Sequence, residues 1–208
     1  MKTKALLIFT RNPELGKVKT RLAKTIGDEN ALTVYKDLLL HTKNVTHAID
    51  CDKFVFYDTA IINDDIWSEE FYIKKLQASG DLGDRMQQAF DSLFGMGYKH
   101  CVIVGSDLFD LRASQIEMAF KKLENNDAVL GPAEDGGYYL LGLNQSNKDV
   151  FQNKEWGTAT VFEATVNDLE GKKVALLETL NDIDTFEDLS RSDYNCSLFE
   201  NKIKVKHN

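Results

Sequence analysis

The sequence predicts an α/β fold in which helices cover both faces of a mixed, mostly parallel sheet. Short apolar runs alternate with stretches of helical periodicity along nearly all of the 208 residues, the pattern of parallel strands joined by crossover helices. Residues 128–130 and 138–143 break this pattern, because the loop between them is too short for a crossover helix. These two strands are either an antiparallel pair or members of different sheet edges, and a mixed sheet is the simplest interpretation.

Each element is predicted from its local pattern. The apolar run KALLIFT at residues 4–10 is typical of a buried strand. Further strands are expected at residues 53–57, 71–77, 101–104, 128–130, 138–143 and 173–177. Helices are expected at residues 28–50, with Asp28 as N-cap, and at residues 82–94, 113–123, 158–169 and 186–191. Residues 11–24 are expected to form a basic loop, and residues 202–206 alternate like an edge strand.

The composition is that of an ordinary globular domain, with 43% hydrophobic and 28% charged residues. No linker, repeat or low-complexity stretch divides the chain, so we expect one domain over residues 1–208. No apolar run approaches the roughly 18 residues that a membrane helix needs. Three cysteines without a C-x-x-C pair disfavour a disulfide framework or a structural zinc site, and predict a cytoplasmic protein.

The charge is unevenly distributed along the chain. The formal net charge of −8 disfavours general binding to nucleic acid. Residues 1–24 nevertheless hold seven Lys or Arg residues and a single acid, whereas the other 184 residues hold 18 basic and 32 acidic residues. The positive charge of residues 1–24, in a chain that is otherwise acidic, indicates a local site for an anion.

The candidate anion site is the loop that follows the first strand. It contains Gly16 and four cations, Arg11, Lys17, Lys19 and Arg21. Ligands of open α/β sheets bind beyond the carboxyl ends of strands, where arginine forks and lysine charges can hold a phosphate group. The loop is not a Walker A motif, because Val18 follows Gly16-Lys17 and the leading glycine is missing. A solvated charged loop is the alternative interpretation.

Two acidic turns are candidate metal ligands. Asp107 and Asp110 follow the most apolar strand, and Asp182 and Asp184 precede the last predicted helix. Carboxylates at a strand end suit Mg²⁺, which binds one or two of them together with substrate phosphates. The alternatives are that Asp107 only caps the helix near residue 113, and that Asp184 or Thr185 only caps the helix at residue 186.

Two glycine-containing loops complete the candidate site. Residues 131–139 read GPAEDGGYY, in which Gly136 and Gly137 permit close backbone approach to a ligand. Glu134 and Asp135 beside them can accept sugar hydroxyls or act as a base, although a tight turn would also explain this composition. Residues 79–86 read SGDLGDRM, a helix start with Asp81 as cap, in which Gly80, Gly83 and Arg85 could face a ligand.

These motifs, taken in order, carry a resemblance to a known family. RNPELGKVKTRLA, GDLGDRM, GSDLFDL, GPAEDGGYYLLGL, WGTATV and DIDTFEDL together span residues 11–189. They resemble small bacterial GT-A-like nucleotide-diphospho-sugar transferases, also described as radical-SAM-associated transferases or arsenosugar-biosynthesis glycosyltransferases. The resemblance implies a single-domain, Rossmann-like GT-A α/β/α sandwich with a metal-dependent nucleotide site. One departure is Phe109, where the family commonly has proline in T-D-C-P-D-L, which leaves the rigidity of this turn open.

The resemblance implies a metal-dependent glycosyltransferase that moves a sugar from a nucleotide-diphosphate sugar to a small-molecule acceptor. The basic loop would neutralise the diphosphate, and the loop from Gly80 to Arg85 would contact the base or ribose. Asp107, with Asp110, would hold Mg²⁺ or Mn²⁺, and Asp182 or Asp184 would complete its shell. Glu134 or Asp135 would bind sugar or acceptor, and one of them would act as base.

Two alternatives stay open from the sequence. One is a nucleotidyltransferase, similar to guanylyltransferases, that joins a nucleoside triphosphate to a small phosphorylated acceptor and releases pyrophosphate. The other is a nucleotide-binding partner without catalytic activity, for which Phe109 in the metal turn is the support. The partners expected in each case are small molecules, not nucleic acid or membrane, and the oligomeric state is left open.

Overall fold

A seven-stranded mixed sheet forms the centre of the molecule. The computed structural model describes residues 3–196 and residue 199, so the alternating segment at residues 202–206 lies outside the described residues. The strands are β1 Lys4–Thr10, β2 Asp52–Tyr57, β3 Tyr72–Leu76, β4 His100–Val104, β5 Ala128–Pro132, β6 Tyr138–Leu143 and β7 Val174–Leu176. Their order in the sheet is β3-β2-β1-β4-β6-β5-β7.

The sheet is parallel except at β6, which runs antiparallel to both β4 and β5. This confirms the mixed sheet, and it shows that the short loop at residues 131–137 joins an antiparallel pair. The carboxyl ends of the six other strands therefore meet at one edge, where β6 begins. Loops that follow β1, β2, β4 and β5 are brought together at this edge.

In the part of the chain that the structure describes, the helices that cover the sheet are α1 Thr20–Ile26, α2 Asp28–His47, α3 Leu82–Gly95, α4 Ala113–Leu123, α5 Val161–Asp168 and α6 Phe186–Arg191, with a 3-10 turn at Asp149–Phe151. One buried cluster joins Tyr35 of α2 and Phe120 of α4 to one face of the sheet. A second cluster joins Phe90 of α3 to the other face. The predicted α/β/α sandwich is confirmed. No helix among the described residues is long and apolar enough to cross a membrane.

The segment predicted as a basic loop at residues 11–24 contains a helix, so that prediction was wrong in its second half. α1 spans Thr20–Ile26, and Gly27, with a φ of 86°, follows it as the C-cap. The apolar side chains of Leu22 and Ile26 lie one turn apart and are buried against α2. This burial stabilises the helix despite its basic composition. Gly27, rather than Asp28, occupies the N-cap position of α2.

Most other boundaries agree with the sequence patterns. α4, α6 and β6 have the predicted bounds. Asp81 caps α3 as predicted, and its side chain accepts a hydrogen bond from the Asp84 amide. α5 starts three residues later than predicted, at Val161, because the preceding residues form turns.

Candidate active site

A cavity of about 550 Å³ opens at the carboxyl edge of the sheet. Its walls come from the ends of β1, β2 and β4, the start of β6 and the first turns of α3. Eight residues singled out in the sequence line it: Arg11, Lys19, Arg85, Asp107, Asp135, Gly137, Asp182 and Asp184. The volume lies within the range of small-molecule sites.

An ion pair joins the basic loop to the first acidic turn. The Lys19 Nζ atom lies 3.2 Å from Asp107 Oδ2, and the Lys19 side chain is only 5% exposed whereas that of Asp107 is 48% exposed. Lys19 occupies the left-handed backbone region, with φ 48° and ψ 44°, at the N-cap of α1. A lysine in this region is uncommon, and such conformations concentrate at functional sites. The start of α1 thus directs this buried ammonium group towards the end of β4.

Tyr35 connects the same two loops, and sequence reasoning missed it. Its hydroxyl accepts a hydrogen bond from the Arg11 amide at 2.8 Å and donates one to the Arg11 carbonyl at 3.0 Å. Ser106 Oγ lies 3.5 Å from the same hydroxyl. Burial, followed by the charge of Asp107, raises the pKa of Tyr35 to about 12, so the hydroxyl stays protonated. In the sequence, Tyr35 is one of several apolar positions on α2 and gives no separate signal.

Hydrogen bonds from Asn12 and Gln77 connect the ends of β1, β2 and β3. The Asn12 backbone N–H donates to Asp58 Oδ1 at 2.7 Å, and its side-chain Nδ2 donates to the Ala60 carbonyl at 2.8 Å. Gln77 Nε2 donates to the carbonyls of Thr10 and Phe56, at 3.1 and 3.0 Å. Asp58 and Gln77 both line the cavity. No sequence motif marks either residue.

The acidic turn after β4 separates the two predicted carboxylates. Asp107 lines the cavity and does not cap a helix, because Arg112 occupies the N-cap of α4. This excludes the interpretation of Asp107 as a cap. Asp110 lies outside both cavity linings, and its Oδ1 accepts a hydrogen bond from the Asp193 amide at 3.1 Å.

Phe109 stabilises this turn by aromatic packing. Its ring stacks on His41 at 4.6 Å between centroids and meets Tyr194 edge-on at 5.3 Å. His41 Nε2 in turn lies 2.8 Å from the Leu111 carbonyl, which makes the ring nitrogen the donor. The turn is therefore fixed by packing between α2 and the segment after α6, without a proline.

The loop between β5 and β6 places Asp135 in the cavity and Glu134 beside it. Gly136, at φ 87°, lies so close to Ala159 that an added Cβ would be 2.3 Å from its carbonyl oxygen. Asp135 Oδ1 accepts a hydrogen bond from the Gly137 amide at 2.7 Å. Glu134 pairs with Arg191 of α6 at 2.9 Å.

Three carboxylates of the cavity influence one another. The pKa of Asp182 is raised to about 6, first by burial and then by the negative charges of Asp135 and Asp107, while Lys19 opposes the shift. The Ile183 amide donates to the Asp107 carbonyl at 3.0 Å, which ties the two acidic turns together. A divalent cation would relieve this repulsion.

The arrangement suits an open metal site. Within residues 3–196 and 199, no three histidine, cysteine or carboxylate side chains are placed to hold a metal ion together. Mg²⁺ commonly uses one or two protein carboxylates and takes its other ligands from phosphate and water. Asp107 and Asp182, which line the same cavity, fit this type of site.

The other predicted residues lie at the margins. Lys17 pairs with Glu14 at 2.5 Å and, like Gly16, lies outside the cavity linings. Arg21 pairs with Asp184 at 2.9 Å. Gly80 and Gly136 are not among the cavity-lining residues either.

Gly83 has a packing role. An added Cβ there would lie 2.2 Å from the Phe151 carbonyl oxygen and 2.8 Å from the Trp156 ring. The Trp156 ring lines the cavity, and its buried Nε1 has no hydrogen-bond partner among the described residues. Arg85, one turn into α3, does line the cavity, and its Nε donates to the Gly80 carbonyl at 3.0 Å.

A second cavity of about 270 Å³ adjoins the first. The two share Asp135, Asp182 and Asp184. The second is also lined by Arg21, Glu134, Asn181, Thr185, Asp188 and Arg191. Thr185 is the N-cap of α6, so Asp184 does not have that role.

Comparison with solved structures places this fold among known proteins. A structure described as a "putative nucleotide-diphospho-sugar transferase" from Desulfovibrio desulfuricans G20 is 30% identical over 100% of this chain and 98% of its own, with a TM-score of 0.84. Two others share the fold at low identity. The 4-diphosphocytidyl-2C-methyl-D-erythritol synthase of Anaerococcus prevotii DSM 20548 is 11% identical over 92% of this chain and 97% of its own, with a TM-score of 0.56. Rv0371c of Mycobacterium tuberculosis H37Rv, in complex with manganese, is 12% identical over 91% and 97%, with a TM-score of 0.53.

The sequence itself matches a family over more than half of its length. Residues 41–158 match DUF2064, described as an uncharacterized protein conserved in bacteria. The matched segment runs from the end of α2 to the turns before α5, and it contains Asp107, Glu134 and Asp135. On this match, and on the full-length likeness to the Desulfovibrio protein, the chain belongs to the DUF2064 family.

Proposed function

We propose that this protein is a metal-dependent transferase that moves a sugar from a nucleotide-diphosphate sugar to a small-molecule acceptor. The observation that carries the proposal is the 550 Å³ cavity, in which the cations Arg11, Lys19 and Arg85 lie beside the carboxylates Asp107 and Asp182. Phosphate groups need the cations, and a bridging metal ion needs the carboxylates.

The diphosphate of the donor binds at the cationic side of the cavity. Arg11 follows β1 directly, and the buried Lys19 supplies an ammonium group whose solvation is already lost. Interactions between charges are stronger in such a partly buried site than in water. Lys17 of the same loop and Arg21 of α1 add positive charge from outside the large cavity.

Asp107 and Asp182 hold Mg²⁺ or Mn²⁺ in this proposal. When bound, the ion supplies Lewis-acid stabilisation of the nucleoside diphosphate leaving group. The protein contributes the rest: the turn fixed by Phe109 positions Asp107, and the bond between Ile183 and the Asp107 carbonyl positions Asp182. The manganese in the Mycobacterium tuberculosis structure is a property of that protein, and it is consistent with this assignment.

The acceptor binds in the second cavity. Asp135 borders both cavities, where it can accept a proton from an acceptor hydroxyl, and Glu134 lines the acceptor side. Five carboxylates and two guanidinium groups line this cavity, so a phosphorylated acceptor would meet a net negative charge. This charge favours glycosyl transfer to an unphosphorylated acceptor over nucleotidyl transfer to a phosphorylated one.

A product assay tests the proposal. The protein is incubated with Mg²⁺ or Mn²⁺ and a panel of nucleotide-diphosphate sugars or nucleoside triphosphates, and released nucleoside diphosphate and pyrophosphate are measured separately. We expect metal-dependent release of nucleoside diphosphate from one sugar nucleotide, with water or an added polyol as acceptor. Asp107→Asn should abolish the metal-dependent release of nucleoside diphosphate. Asp64→Asn, at an exposed residue that lines neither cavity, should leave this release unchanged.

Other outcomes assign other functions. Pyrophosphate release from a triphosphate would replace this proposal with nucleotidyl transfer. Metal-dependent binding without turnover of any donor would favour the non-catalytic binding partner.

A further inference from the structure

Asp58 and Gln77, at the β2–β3 end of the large cavity, each offer a hydrogen-bond acceptor. Tyr57 of β2 pairs with Leu76 of β3, and the Gln77 amide donates to the Tyr57 carbonyl at 2.8 Å. Asp58 and Gln77 therefore continue the register by one position, on strands that lie about 4.8 Å apart. Both residues are partly buried and line the cavity.

The hydrogen bonds of Gln77 fix which way its amide group points. Its Nε2 donates to two carbonyl oxygens, those of Thr10 and Phe56, at 3.1 and 3.0 Å. Carbonyl oxygens only accept hydrogen bonds, so the amide nitrogen must face them and both of its N–H groups are used. The side chain can then offer a ligand only its oxygen.

Asp58 also offers a hydrogen-bond acceptor to a ligand. Its Oδ1 accepts a hydrogen bond from the Asn12 amide at 2.7 Å, which leaves Oδ2 as a second acceptor. Side chains with large apolar surfaces line the same cavity, including Phe9, Leu82 and Met86. A flat ring with apolar faces and hydrogen-bond donors on one edge matches this combination.

We propose that Asp58 and Gln77 select guanine as the base of the nucleotide. The inference rests on the proposed function, since it assumes that a nucleotide occupies the cavity. Guanine carries two neighbouring donors on one edge, N1–H and the N2 amino group. Adenine and cytosine place an unprotonated ring nitrogen beside their amino group, and uracil and thymine flank one N–H with two carbonyls. Each of those bases would direct a lone pair at an acceptor of the protein.

Binding of nucleoside diphosphates by calorimetry, with Mg²⁺ present, tests the selection. We expect GDP to bind more tightly than ADP, CDP, UDP and dTDP by about tenfold or more, the scale of discrimination by a two-bond base contact. Inosine diphosphate differs from GDP only by the missing N2 amino group, and it should bind about tenfold more weakly than GDP.

An exchange of donor and acceptor sharpens the test. Asp58→Asn keeps an oxygen for the Asn12 amide but presents an N–H group to the base. Xanthosine diphosphate has a carbonyl where guanine has the N2 amino group, so this variant should bind it in preference to GDP and reverse the order of the wild type. Asp64→Asn makes the same chemical change at an exposed position and should keep the wild-type order. Circular dichroism checks that each variant is folded.

The outcomes separate this inference from the proposed function. Equal affinity for all bases, preference for another base, or an unchanged order in Asp58→Asn would overturn the selection of guanine and leave a nucleotide site in place. If no nucleoside diphosphate bound the wild type with or without metal, the nucleotide site and this inference would both be wrong.

Discussion

The ammonium group of Lys19 lies 3.2 Å from the carboxylate of Asp107, and the lysine side chain is almost fully buried. The pair connects the loop after β1 with the turn after β4, and β1 and β4 are neighbouring parallel strands. A buried cation next to a half-exposed carboxylate can exchange partners when a phosphate and a metal ion arrive: the phosphate takes the ammonium, and the metal takes the carboxylate. Before the donor binds, the ion pair holds Lys19 and Asp107 in place.

Lys19→Met should weaken binding of a nucleoside diphosphate by about 10- to 100-fold, the usual scale for the loss of a charged hydrogen bond. Calorimetric titration of the wild type and variant checks this. Lys24→Met removes a lysine from the exposed side of the same short helix and should bind like the wild type. Equal affinity of the Lys19 and Lys24 variants would show that the buried ammonium does not contact phosphate.

Tyr35→Phe should destabilise the protein by about 1–2 kcal/mol, because the amide and carbonyl of Arg11 both lose their partner. It should also weaken donor binding, since Arg11 would no longer be held towards the cavity. Urea denaturation gives the stability, and calorimetry gives the affinity.

Tyr72→Phe is the matched control for this change. The Tyr72 hydroxyl is also buried and donates to the Lys43 carbonyl at 3.0 Å, but Tyr72 does not line the cavity. Loss of the Tyr72 hydroxyl should reduce the stability of the protein to a similar extent and leave the affinity for the donor unchanged. If both variants bound donor equally well, Tyr35 would be structural only.

The fold could be predicted because its signals are local. Apolar runs and helical periodicity locate strands and helices, and the short loop at residues 131–137 indicates the antiparallel strand. Of the α-helices and strands in residues 3–196, α1 alone was missed, since a basic composition hides the pair Leu22 and Ile26 that becomes buried.

The candidate site was only partly predictable, because partners distant in sequence decide which charges face the cavity. Arg21 and Lys17 look like Arg11 and Lys19 in the sequence, yet they pair with Asp184 and Glu14 at the margin. The side-chain amide of Gln77 is oriented by two carbonyls that lie 67 and 21 residues away. Single-residue patterns contain no such information.

Stability should depend on pH through Asp182. Its pKa is raised to about 6 in the folded protein, by burial first and then by Asp135 and Asp107, whereas an unfolded aspartate titrates near 3.9. The folded state therefore binds more protons between about pH 4 and 6, and the contribution of this group to stability falls as the pH rises through that window.

Asp182→Asn should remove this dependence. Without divalent cations, the variant should be more stable than the wild type at pH 7, by about 1 kcal/mol after allowance for solvent screening. The difference should vanish near pH 4, where the wild-type carboxyl group is protonated. Thermal unfolding at a series of pH values checks it, and a difference that does not change with pH would contradict the shifted titration.

Gly136→Ala should be strongly destabilising and should reduce activity. The new Cβ would lie 2.3 Å from the Ala159 carbonyl oxygen, and φ at this position is 87°. Strain in the backbone alone costs about 1–2 kcal/mol, and relief of the clash would move the loop that carries Asp135.

Gly171→Ala separates the backbone strain from the clash with Ala159, because Gly171 has a φ of 78° but nothing within 4 Å of an added Cβ. Denaturation curves of both variants should show the strain in each, with a larger loss for Gly136→Ala. Activity per folded molecule should fall only in Gly136→Ala, since the Gly136 loop carries Asp135 of both cavities whereas Gly171 lines neither. An equal loss of stability with unchanged activity in the two variants would mean that contact between Gly136 and Ala159 does not position Asp135.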